Sequence, residues 1–244
     1  MRGEIKPVTD GAMSNFARNV FSVLERTEYR RCERGDDLHD IYRLRYNSYK
    51  NADLVSESSD RMVYDEYDEK PNCYKLGVYI DANLVGTIRL HVVSKEQPWS
   101  PSVSVYPDIL IPRLEAGERF IDPSRFAADL EWARIYPQIP YLILRLAGMA
   151  CFYFNAPYVI SMIRGDHVAF YKRIYNSRPI GTPRNYDGVI NTVALLYEAD
   201  VLAIQHETFS RFPFFQSSAR EQRMLFSAPP GSLTGPLTVM PSLP

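Results

Sequence analysis

Residues 73–93 read CYKLGVYI, DAN, LVGTIRLHVV: two runs rich in β-branched and aromatic residues around a three-residue turn. Such a pair predicts a hairpin, and so puts two consecutive antiparallel strands into whatever sheet the chain builds. Downstream the pattern changes. ERFIDPSRF resumes an extended pattern in which Pro123 predicts a bulged or ending strand. Residues 138–155 then predict a helix, PYVISMI a strand, DHVAFYKRIYN a helix and VINTVALLY a last strand, with the turn-rich RPIGTPRNYDG before it. Antiparallel strands first, then strands alternating with helices, describe an α/β (α+β) fold: a mixed, mostly antiparallel central sheet flanked by helices.

Upstream of the hairpin, Met13, Phe16, Val20, Phe21 and Leu24 recur at helical spacing. A second helix begins after Asp36 and Asp37 and sets Leu38, Ile41, Tyr42, Arg45 and Tyr49 on one stripe, whose single charge is Arg45. NADLVSESSDR is aperiodic and reads as a loop, and DILIPRLEAG as a short helix among prolines. Beyond Phe212, six prolines from Pro213 to Pro244 and few apolar anchors predict an irregular tail.

Charge narrows the function classes. With 28 Lys+Arg against 29 Asp+Glu the net charge is -1, so no global field favours nucleic acid or an anionic membrane. Three cysteines at wide spacing fit reduced thiols, and the N-terminal sequence lacks a continuous apolar core, so a cytoplasmic protein is expected. The longest apolar run, YLILRLAGMACFYF, is interrupted by Arg145 and reads as a buried helix rather than a transmembrane segment. His39, His91, His167 and His206 show no metal-binding spacing, so no metal is expected. Cys151, within the apolar run, reads as a packed thiol.

The most informative residues are ionisable groups where a core or strand pattern prefers apolar ones: Arg45, Asp65, Asp68, Arg89, Asp122 and Arg125. Buried charges must be paired, so three acids and three arginines predict a network lining a cleft. The competing reading is a set of buried ion pairs that only fixes the fold.

Order and spacing here resemble the acyl-homoserine-lactone synthases. In that family an arginine followed four residues later by an aromatic, then D-x-x-D, then an arginine after a glycine-containing turn into a strand, then E-x-S-R-F, mark the active-site side. This chain has Arg45 with Tyr49, Asp65-Glu66-Tyr67-Asp68, Gly86-Thr87-Ile88-Arg89 and Asp122-Pro123-Ser124-Arg125-Phe126, a match spanning residues 43–126. It departs from the family in carrying Asp122 for the glutamate, in lacking a tryptophan between Tyr49 and Asp65, and in reading RLHVVSKE where R-L-x-P-T-T is usual. These departures move the resemblance toward the N-acyl amino acid synthases, relatives that acylate a free amino acid.

The resemblance implies the fold of the GNAT acetyltransferase superfamily over residues 36–212, with 1–35 as an N-terminal helical extension and 213–244 as the Pro-rich tail. It implies an N-acyltransferase that moves a fatty acyl group from a thioester to an amino acid amine. Asp122 and Arg125 would be catalytic, and Arg45, Tyr49, Asp65, Asp68, Arg89 and Phe126 would bind substrate, with one of the three arginines free for the acceptor carboxylate. His167 to Arg173 is similar to the F-Y-x-x-x-G-F helix of the superfamily, which makes Tyr171 a candidate general acid or else a core aromatic. The Q/R-x-x-G-x-G/A loop that binds coenzyme A pyrophosphate is missing: after Phe126 the chain reads AADLEWARIYPQIPYLILR. An acyl carrier protein is therefore the expected donor and partner, with acyl-coenzyme A as the other possibility and no bound cofactor. Arg164, Lys172, Arg173, Arg178 and Arg184 are candidates to meet an acidic carrier. The acyl chain would lie along the 138–155 helix near Phe152, Tyr153 and Phe154. Two alternatives stand beside this reading: an acyl-homoserine-lactone synthase using S-adenosylmethionine, and a non-catalytic module that binds acyl carrier protein or lipid.

Overall fold

The computed structural model describes residues 13–227 and the two-residue strand at 237–238. In chain order the elements are α1 (Asn15–Leu24), β1 (Thr27–Arg31), α2 (Asp36–Asn51), β2 (Cys73–Ile80), β3 (Asn83–Val93), α3 (Pro101–Val105), α4 (Pro107–Glu115), β4 (Phe120–Ala128), α5 (Leu130–Ile135), α6 (Ile139–Phe154), β5 (Tyr158–Ile163), α7 (Val168–Tyr175), β6 (Arg178–Pro179), β7 (Leu195–Asp200), α8 (Gln205–Arg211), α9 (Ala219–Phe226) and β8 (Leu237–Thr238). The strands form one sheet in the order β6-β7-β5-β4-β3-β2-β1-β8. Every pairing is antiparallel except β4 with β5.

The expected hairpin is β2–β3, with a tighter connection than the sequence suggests. Asp81 (φ 48°) and Ala82 (φ 64°) alone make the turn, and Asn83 already pairs with Ile80. Two successive left-handed residues match the twist of the flanking strands. Arg26 Nε at 3.0 Å from the Asp81 carboxylate helps to hold this turn, which an alanine adopts only under strain. On β3, Gly86 lets α6 approach closely: a Cβ there would lie 2.6 Å from Ile143 Cδ1.

Helix α6 is the spine of the core, buried on nearly all sides between the sheet and α1, α9 and the turn Pro213–Phe215. Its one charge, Arg145, is fully buried and explains the first departure from expectation. Arg145 Nε donates to Phe214 O at 2.8 Å, and its Nη2 to Gln216 O at 2.7 Å and Glu221 Oε1 at 3.0 Å. Where the prolines predict an irregular tail, residues 213–227 instead dock on α6, with Phe214 and Phe215 in the core. Burial of each ring contributes about 2 kcal/mol, and α9 is started by reciprocal capping between Ser218 and Glu221. The rest of the tail, apart from β8, lies outside the described residues, as do residues 1–12. The N-terminal segment also differs from a helical extension, because β1 is a strand of the sheet beside β2.

One irregularity positions everything that follows. Opposite Arg89 stands Ser124 and opposite Thr87 stands Ala127, so Arg125 and Phe126 bulge out of β4, with Arg125 at φ 51°. On its other edge β4 pairs with β5 only at Phe120↔Tyr158 and Ile121↔Val159. From Asp122 onward the two strands part.

Candidate active site

Between the parted strands lies a cavity of about 440 Å³. Its walls are Asp122–Phe126 of β4, Met162 and Ile163 of β5, Phe170 and Tyr171 of α7, Pro140 and Tyr141 at the start of α6, Tyr49 of α2, and the segment from Tyr186 to Ala194. Most of the lining surface is apolar or aromatic, and Asp122, Ser124, Arg125, Arg164, Asp166, His167 and Thr192 supply its other polar groups.

Asp122 is one of those polar groups. It is 1% exposed, and Ser102 N–H donates to its Oδ2 at 2.9 Å. No Arg or Lys pairs with it among the described residues. Burial therefore pushes its carboxyl up to about 6, against the weaker opposing effect of Ser100, Ser102 and Arg89.

The other two acids behave in the opposite way. The D-x-x-D spacing is a capping box: Asp65 accepts from Tyr67 N–H at 2.9 Å, and Asp68 accepts from Asp65 N–H at 3.0 Å across the short turn Glu66–Glu69. This turns both carboxylates toward the arginines. Arg45 Nη1 lies 2.9 Å from Asp68 Oδ1, and Arg89 Nη1 lies 2.9 Å from Asp68 Oδ2 while also bonding Asp65. Arg125 Nη2 is 2.5 Å from Asp65 Oδ2. Burial opposes ionisation of both acids, but Arg89 with Arg125 holds Asp65, and Arg45 with Arg89 holds Asp68, below the ordinary carboxylate range.

The structure therefore divides the nine residues singled out from the sequence. Asp122, Arg125, Phe126, Tyr49 and Tyr171 line the cavity, while Arg45, Asp65, Asp68 and Arg89 form an ion-pair network behind its wall. Arg125 joins the two groups. Its Nη1 donates to Gly188 O at 3.1 Å, its guanidinium carbon sits 5.8 Å from the Tyr49 ring centre, and its Nε is buried without a partner among the described residues. None of the three arginines is free of carboxylates, so the expectation of one unpaired arginine does not hold. Arg89 Nε also bonds Ser124 Oγ at 2.9 Å, which ties the network to the bulged strand. Tyr171 belongs both to the core and to the cavity wall, and burial pushes its hydroxyl well up.

Phe152, Tyr153 and Phe154 do not line the cavity. They pack on Phe209, Phe226 and Tyr74 at the far end of α6, which at 16 residues is about 24 Å long. The cavity meets the other end, at Pro140 and Tyr141. Tyr186, Tyr141 and Ser102 were not marked by any motif. Tyr186 lies in what reads as turn-rich sequence, and its ring folds against Gly188, where a Cβ would collide with it. Burial pushes the Tyr186 hydroxyl up to about 12, with Arg125 opposing.

The start of α6 has no amide to offer an anion. Ile139 N–H donates to Tyr136 O at 3.1 Å, Pro140 has no N–H, and Tyr141 and Leu142 donate to Gln138 O at 2.9 and 3.2 Å. His91 bonds Tyr67 O at 3.0 Å, and burial with Arg89 nearby pushes it down to about 3, so the ring is neutral. Among the described residues there is no cluster of three or more metal-ligating side chains, no helix long and apolar enough to cross a membrane, and all three cysteines are buried and free.

Direct transfer of an acyl group to an amine requires a proton acceptor in a dry cleft and room for a chain. A mixed sheet parted beside its fourth strand to make a cleft is a GNAT-like fold. The sequence profile of the family described as N-acyl amino acid synthase FeeM matches residues 40–200, and the chain belongs to that family. Among solved structures, FeeM, an N-acyl amino acid synthase from uncultured soil microbes, is 18% identical, with 75% of this chain and 95% of that chain aligned at a TM-score of 0.62. The CoA-dependent acyl-homoserine lactone synthase BjaI is 16% identical over 72% of this chain and 82% of that chain, at 0.54. The acyl-homoserine-lactone synthase LasI is 16% identical over 74% and 94%, at 0.53. Among curated proteins nothing matches.

Proposed function

We propose that this N-acyltransferase moves a fatty acyl group from an acyl carrier protein thioester to the amine of an amino acid, giving an N-acyl amino acid. The observation that carries the reading is Asp122: a buried carboxyl on the cavity wall with no cation of its own, able to take up a proton near neutral pH. The amine nitrogen attacks the thioester carbon, its proton passes to Asp122, the tetrahedral intermediate collapses, and the thiolate leaves with a proton from Tyr171, which regains one from solvent as Asp122 releases its own. No covalent enzyme intermediate is needed. Where β4 leaves β5, the freed edge offers backbone N–H groups to the developing oxyanion, an effect of about 3 kcal/mol per donor.

Arg125 is the arginine placed to hold the acceptor's carboxylate, since of Arg45, Arg89 and Arg125 it alone lines the cavity. The network behind it keeps its guanidinium in place. The carrier protein as donor is supported by the start of α6, whose amides are all satisfied and so cannot cradle a pyrophosphate. Of the basic residues that could meet an acidic carrier, Arg164, Arg178 and Arg184 are paired with Asp166, Glu198 and Asp108. Lys172 and Arg173, exposed on α7 beside Tyr171, remain for that role. Buried free thiols fit a reducing, cytoplasmic setting.

Expression in a bacterial host, with mass spectrometry of the lipid extract, tests this reading. A new N-acyl amino acid that disappears with Arg125→Ala supports it. Acyl-homoserine lactone in the medium would replace it with the lactone reading, and no acylated product would favour a binding module.

A further inference from the structure

No Arg or Lys pairs with Asp122 among the described residues, and the cations of the same cavity wall are engaged with other acids, Arg125 with Asp65 and Arg164 with Asp166, so neutral groups in contact with Asp122 set much of its readiness to accept a proton. The charges on the elements packed against β4 are committed elsewhere: Arg45 of α2 to Asp68, Arg145 of α6 to Glu221, and Arg89 of β3 mainly to Asp65 and Asp68. His91, the register partner of Asp122 on β3, is neutral, Tyr49 and Tyr141 are phenols, and β5 contributes Tyr158 where it pairs with β4. What touches Asp122 is α3.

Ser102 is fully buried there, and two of its groups are relevant. Its N–H is the donor to Asp122 Oδ2 at 2.9 Å. Its Oγ is buried with no hydrogen-bond partner among the described residues, an unusual state for a hydroxyl. Of the neighbouring serines, Ser104 Oγ donates to Pro101 O at 2.8 Å, whereas Ser100 Oγ only accepts Val103 N–H at 3.3 Å and keeps its own hydroxyl proton to support Asp122 beside Ser102. We propose that Ser102 is a positioning residue for Asp122, its amide fixing one carboxylate oxygen and its hydroxyl closing on the carboxylate once the proton has left. The proton goes from Asp122 to solvent as product departs, and no other bond changes. This rests on Asp122 as the base of the proposed reaction.

The hydroxyl stabilises only the ionised form, because a carboxylate is a far better acceptor than a carboxylic acid. Removing it raises the proton affinity of Asp122 while the backbone amide stays in place. The test is a titration of the full-length protein carrying 13C-carboxyl-labelled aspartate, with Asp122→Asn used to assign the resonance. The wild-type midpoint is expected near 6. Ser102→Ala should move it up by about half a unit or more, Ser102→Thr should restore it, and the acid limb of kcat/KM should follow the midpoint in each variant. An unchanged midpoint in Ser102→Ala beside an inactive Asp122→Asn overturns the proposal alone. Wild-type turnover by Asp122→Asn overturns the base assignment and this inference with it.

Discussion

Asp68 and Asp122 are equally buried, each 1% exposed, and both lie near Arg89, yet their proton affinities are shifted in opposite directions. Asp68 sits in a turn whose capping box aims it, with Asp65, at arginines, and it stays ionised. Asp122 sits one residue beyond the last β4–β5 pair, held by a backbone amide, and retains its proton up to about pH 6. The same side chain at the same depth serves as framework in one place and, in the proposed reaction, as a poised base in the other. What separates them is whether a cation was built beside it, not burial.

That contrast can be broken most forcefully at Arg89. Replacing it with Met leaves Asp65 and Asp68 without their shared partner and should destabilise the protein by about 3–5 kcal/mol, measured by urea unfolding at pH 7. A loss below about 1 kcal/mol would make the network no stronger than a surface ion pair. Asp122→Asn should do the reverse: acyl transfer falls about 10²- to 10⁴-fold, while stability at pH 7 rises by about 3 kcal/mol. The sign follows from the raised affinity. Folded Asp122 holds its proton up to about 6 and the unfolded residue to about 3.8, so stability is lost as pH climbs between these values and is not regained above them. For Asp65 and Asp68 the linkage is inverted, with stability present above the unfolded value and lost as acid titrates the folded carboxylates.

Smaller effects sharpen the same comparison. The acid limb of kcat/KM should have its midpoint near 6, the value for Asp122, with a plateau above it; a limb near 4 would point to an ordinary exposed carboxylate. Tyr171→Phe should slow transfer about a hundredfold if the phenol protonates the thiolate, and unchanged turnover would leave it a core aromatic. Smallest of all, Lys172→Glu with Arg173→Glu should raise KM a few-fold for a carrier-bound donor and leave a free acyl-pantetheine donor unaffected.

Much of the framework half of this contrast was legible in the sequence. Charges inside apolar patterns, at 45, 65, 68, 89 and 125, had to be paired, and the hairpin and α6 are strongly periodic elements. Less of the other half was legible. Asp122 reads as a sixth member of the network, because nothing local says that the arginines are already taken. Ser102 and Tyr186 come from Ser-rich and turn-rich segments whose role depends on tertiary placement. The tail past residue 212 reads as irregular because its anchor is Arg145, far away in sequence, and a buried arginine seeking carbonyls has no periodicity to betray it. Phe152, Tyr153 and Phe154, expected along the acyl chain, lie at the end of α6 away from the cavity for a related reason: hydrophobicity all round a helix does not say which end faces the cavity.

The most direct test of the central claim is to incubate purified protein with a long-chain acyl carrier protein thioester and a mixture of amino acids, and to follow N-acyl products by mass spectrometry beside Asp122→Asn. The account predicts an N-acyl amino acid from the wild type and at most a hundredth of it from the variant, with both proteins folded. Equal product from the two would contradict the claim that Asp122 is the base.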